Sequence, residues 1–138
     1  MKKRKDPLAG LRLLAQARPH DSGVLVSQHL KLRSAFDRLC AGEADTDDFD
    51  NVAMSLNIAK IRAYQIHQEL ADVVADAQIA LGAVQQRYIK WQKWQVLDAE
   101  REPIADGITA YEQIADASSP LQMRNAMKVV LRNLKGLK

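Results

Sequence analysis

Apolar residues recur along this chain at steps of three, four and seven, the spacing of an α-helix with one buried face. Val24, Leu25, Leu32, Ala35, Phe36, Leu39 and Cys40 form one stripe, and Gly42 just beyond it suits a left-handed helix end. Phe49, Val52, Ala53 and Leu56 form a second stripe. A third runs through Ala59, Ala63, Ile66, Leu70, Val73, Ala77, Leu81, Val84, Tyr88 and Trp91, with a mean step of about 3.6 residues. From residue 51 to 102 there is no proline and one glycine, Gly82. The pattern therefore permits a single helix of about 50 residues, about 75 Å long. A break is expected near residues 60–66; an unbroken seam of that length would instead need a partner and favour an elongated dimer.

Flanking segments read the same way. Residues 7–17 (PLAGLRLLAQA), opened by Asp6-Pro7, suit a short helix. Asp98 is the expected cap of a helix carrying Ile104, Ile108, Tyr111, Ile114 and Ala115. Ala117-Ser-Ser-Pro120 is a turn, with Ser119 as cap and Pro120 at the first helical position. Met123, Ala126, Met127, Val130, Leu131 and Leu134 then make a last apolar face, where the two methionines read as core filling. Residues 43–50 (EADTDDFD) hold five carboxylates but lack the glycine and distal glutamate of a calcium loop. They read as a helix start, with Thr46 as cap and Asp47 and Asp48 in a first turn that favours negative charge. The predicted fold is an all-α bundle of five or six helices: a basic, disordered tail over residues 1–6 and one helical domain over 7–138.

Composition agrees. The chain has 138 residues, 47% of them hydrophobic, with six Gly and four Pro, few for a turn-rich sheet protein. Its net charge of +3 is a property of the tail. Lys2, Lys3, Arg4 and Lys5 supply four of the 20 basic residues, which leaves 16 against 17 acidic ones. Asp6-Pro7 and Arg12 interrupt any resemblance to a signal peptide, and no apolar run reaches the length of a membrane helix. A lone cysteine, Cys40, on an apolar stripe reads as a buried thiol and excludes an intramolecular disulfide. A cytoplasmic address with no membrane contact is expected.

Recognisable catalytic patterns are missing. His20, His29 and His67 stand apart with no zinc spacing, and there is no phosphate-binding glycine loop and no nucleophile elbow. Glu69, Asp72 and Asp76 share a helix side, but the inward Glu-x-x-His motif of bundle metal sites is absent. No enzyme activity, cofactor or metal is expected.

Two binding surfaces are suggested instead. In Tyr88-Ile-Lys-Trp-Gln-Lys-Trp94, a helix continued from Val84 at 0° puts Trp91 near about −20°, in the seam, and Trp94 near about −80°, at its edge. Trp91 then reads as core. Trp94, beside Arg87, Tyr88, Lys90 and Arg101, reads either as a half-buried ring under a stacked cation or as an anchor for a protein partner. The second surface is the C-terminal pair of helices, which has the look of a helix-turn-helix. Arg124, Asn125, Lys128 and Arg132, with Lys2, Lys3, Arg4 and Lys5, would offer donors to DNA. The 12 residues from Ile114 to Ala126 are fewer than that motif usually spans, and its turn glycine is missing.

The segments LCAGEADTDDFDNVAMSLNIA and LDAEREPIADGITAYEQIADASSPLQMRNAMKVV resemble small helical proteins of bacteriophages, prophages and plasmids in proteobacteria, many of which carry a Fis-like transcriptional-regulator label. Leu39, Gly42, Ala44, Thr46, Asp50, Leu56, Asn57 and Ala59 carry the likeness, over roughly residues 28–135. It implies an all-α fold and a mobile-element origin, and carries no catalytic residue across. The function expected is non-enzymatic: binding of a host or phage protein as regulator or inhibitor, with a homodimer also open. The alternative is a DNA-binding regulator.

Overall fold

The computed structural model describes residues 22–136, with side chains from residue 26 to 134, and all of its regular elements are helices. They are α1 (Ser22–Ala41), α2 (Thr46–Ile66), α3 (Gln68–Trp91), α4 (Asp98–Ala117) and α5 (Pro120–Gly136). The all-α bundle is as expected. The helix expected over residues 7–17 and the tail cations Lys2, Lys3, Arg4 and Lys5 lie outside the described residues. Among those described, no helix is long and apolar enough to cross a membrane.

Local chemistry sets each boundary. Helix α1 ends in a Schellman motif: Gly42 takes φ +75°, its N–H donates to the Leu39 carbonyl, and the Glu43 N–H donates to Arg38. The acidic segment starts α2, although the cap is Asp45 and not Thr46. Asp45 Oδ1 accepts from the Asp48 N–H at 2.8 Å, and Asp48 Oδ2 accepts from the Asp45 N–H at 3.1 Å, a reciprocal capping box. The Arg38 guanidinium grips the same Asp48 carboxylate with two bonds, at 2.8 and 2.6 Å, tying the end of α1 to the start of α2.

The long apolar run is broken at His67, one residue past the expected window. His67 is extended (φ −162°), and its Nδ1 accepts from the Glu69 N–H to cap α3. With that break a monomeric bundle can fold the run back on itself. Leu97, rather than Asp98, precedes α4, and its N–H donates to the Glu100 carboxylate at 3.0 Å. Ser119 caps α5 as predicted: its Oγ accepts from the Gln122 N–H, while the Gln122 side chain accepts from the Ser119 N–H.

Helix α2 is the centre and packs on each of the other four. Helices α1 and α3 lie against both α2 and α4, and the α3–α4 pair is the most extensive contact. The core is filled by Leu32, Leu39, Val52, Leu56, Val74, Val84, Ile104, Ile108 and Ile114. Within α3 the buried position is Val74; Val73, assigned to the seam by spacing, reaches solvent. Gly107 lets the helices close: a Cβ there would fall 2.3 Å from Ala77 Cβ and 3.0 Å from Leu56 Cδ2. Helix α5 is a satellite. It contributes Ala126 and Val130 to a small second cluster with Ile58 on α2.

Candidate functional site

At the end of α3 the two tryptophans exchange the places predicted for them. Gln92 adopts the left-handed conformation (φ 57°) and stops the helix at Trp91, so the wheel no longer applies to residue 94. Trp94 returns to the core, 8% exposed, between the rings of Phe49 (centroids 4.9 Å apart) and Tyr88 (3.8 Å). Trp91 is 62% exposed, with the Lys90 ammonium 5.0 Å from its ring centre. Trp94 is thus no surface anchor, and Trp91 no core residue.

The remaining residues of that predicted interface are mostly engaged inside the fold. Arg87 makes a two-pronged ion pair with Glu100 on α4, one bond at 3.0 Å. Arg101 approaches Cys40, and burial of that thiol raises its pKa while the guanidinium opposes the rise. Arg87 and Tyr88 are half-buried and Trp94 buried at the α3–α4 corner, whereas Arg101, Lys90 and Trp91 are exposed.

Helix α5 carries the other predicted set. Arg124, Asn125, Lys128 and Arg132 are all exposed along its outer side. Among the described residues, none of the three cations has a carboxylate within ion-pair distance. The helix follows α4 after only Ser118 and Ser119, and takes its packing from α2 rather than from α4. Arg62, buried on α2, donates to Ser118 Oγ at 3.2 Å and so secures this turn.

Beside α5 lies a groove that the sequence did not disclose. It encloses about 630 Å³ between α1, α2, α4 and α5. Leu32, Met54, Ile58, Tyr111, Met123 and Met127 give it an apolar lining, and exposed Lys31 and Arg124 stand among its walls. Burial raises the Tyr111 phenol, and its bond to Ser55 opposes the rise. The apolar face of α5 is wider than what it buries. Ala126 and Val130 are covered, whereas Met127 (42% exposed), Leu131 (44%) and Leu134 are not. Met127 therefore lines a surface instead of filling the core. Its signal in the sequence was the width of the stripe, which exceeds what one neighbouring helix can cover.

No group of three or more His, Cys, Asp or Glu side chains among the described residues is placed to hold a metal. Compared with known proteins, the chain matches no family model, no curated sequence and no solved structure.

Proposed function

We propose that this chain is a binding protein without chemistry of its own, an accessory protein of a mobile element that engages a host or phage protein as regulator or inhibitor. The mobile-element setting comes from the sequence resemblance alone. The observation that carries the binding reading is the groove beside α5, apolar in lining and continuous with exposed Met127 and Leu131. An apolar concavity between helices suits the apolar face of a partner's helix. Its methionines adapt to the shape they meet.

A photo-crosslinking residue at position 127, in the full chain within the producing cell, is expected to trap a protein. Met127→Glu is expected to abolish co-purification of that protein while leaving the helical content intact. Co-purification unchanged by Met127→Glu, or adducts formed with nucleic acid alone, would sink the reading.

A second reading, DNA binding, is favoured by one observation: Arg124, Lys128 and Arg132 run along one exposed side of α5 without carboxylate partners among the described residues. A row of free cations neutralises phosphates whatever the sequence beneath them.

A further inference from the structure

We propose that the protein filling the groove beside α5 is a second copy of this chain, docked through the acidic face between α3 and α4. This rests on the reading of the groove as a protein-binding surface and names its occupant. The α3–α4 face carries Asp76, Glu102 and Asp106 around Ile79 and Val73. Ile79 is 73% exposed, the most exposed large apolar side chain described. No cation lies within ion-pair distance of those three carboxylates among the described residues. No residue of α5 lines this face, so the two surfaces are separate on one molecule.

The surfaces are complementary. One is an apolar centre edged by Asp76, Glu102 and Asp106; the other is an apolar groove with Lys31 and Arg124 in its walls and Lys128 and Arg132 beyond it on the outer side of α5, and none of these charges is paired among the described residues. Each leaves like charges side by side in the monomer, and docking pairs them across an interface. Because the two faces differ, the contact is head-to-tail, and it propagates as a filament unless its rotation closes a ring. A foreign protein that uses the groove then competes with assembly.

The test is sedimentation velocity on the full chain, over a range of concentrations. The mean mass is expected to rise with concentration. The association constant is expected to fall at least about tenfold between about 0.1 M and about 1 M salt, as the Debye length shrinks from about 10 to about 3 Å. Arg124→Glu/Lys128→Glu reverses the basic face and Asp76→Ala/Asp106→Ala neutralises the acidic one, so the two altered faces do not attract each other. Each variant alone is expected to be monomeric, and an equimolar mixture to form a one-to-one dimer and stop. All four positions are exposed, and unchanged thermal unfolding checks that the variants are folded.

A strictly monomeric wild-type chain would overturn the proposal, as would variants that still assemble alone or a mixture that does not pair. Assembly abolished by removing residues 1–5 would overturn it too, by making the basic tail the occupant of the acidic face. A monomeric chain whose partner co-purification is still lost with Met127→Glu would end self-association alone and leave the groove as a site for a foreign protein.

Discussion

Trp94 is held between two rings in the core, and Trp91, three residues earlier, lies on the surface with one lysine for company. The two should therefore differ sharply on truncation. Trp94→Ala is expected to cost about 3–5 kcal/mol, the range for removing a buried ring and leaving a cavity. Trp91→Ala should stay within about 0.5 kcal/mol of wild type, as exposed substitutions do. Urea denaturation of the two variants checks this, and equal losses would contradict the placement. The sequence suggested the reverse for an identifiable reason. A helical wheel holds only while the helix lasts, and the left-handed residue that ends α3 is Gln92, which has no distinguishing signature. Gly42, in the same conformation at the end of α1, was legible because glycine favours it.

At the scale of the element, caps and crossings decide more than propensity. The Arg38 guanidinium holds the Asp48 carboxyl below its ordinary pKa; burial opposes this, and the Asp45 N–H adds to it. A carboxyl depressed in the fold contributes stability above its unfolded value, near about 4. That contribution is lost as pH falls through the depressed value. Asp48→Asn should accordingly be less stable than wild type at neutral pH, with the gap closing below about pH 4. Denaturant midpoints at several pH values would reveal it, and a gap independent of pH would refute it.

Gly107 tests a crossing. Alanine there would gain about 1 kcal/mol of helix propensity, but its Cβ would collide with Ala77, and overpacking costs about 1–3 kcal/mol. The collision should win, for a net loss of up to about 2 kcal/mol, partly restored by Ala77→Gly in the same chain. The stripes of α1, α2 and α4 and the cap of α5 were legible because period and capping chemistry are local. Val74 in place of Val73 and the residue at which the long run breaks were not. Each depends on which neighbour a helix meets, and spacing within one helix does not contain that.

For the whole molecule, the distribution of charge matters more than its sum. The net charge of +3 is the four tail cations added to a body of 16 basic and 17 acidic residues. Within that near-neutral body the structure separates the signs, with cations on α5 and beside the groove, and Asp76, Glu102 and Asp106 between α3 and α4, unpaired among the described residues. The basic side of α5 was legible from its spacing; the acidic face was not, since it is assembled from two helices and follows from which of their sides face outward. It also sets what a DNA duplex will meet. If the α5 cations are committed to protein contacts, attraction to DNA comes from Lys2, Lys3, Arg4 and Lys5. Fluorescence anisotropy of a labelled mixed-sequence duplex should then show weak binding by the full chain. Its logarithmic salt slope should be no steeper than about −3.6, four cations at about −0.9 each. Removing residues 1–5 should abolish that binding. A truncated chain that still binds with a steep salt slope would transfer the site to Arg124, Lys128 and Arg132 and make DNA the ligand of α5.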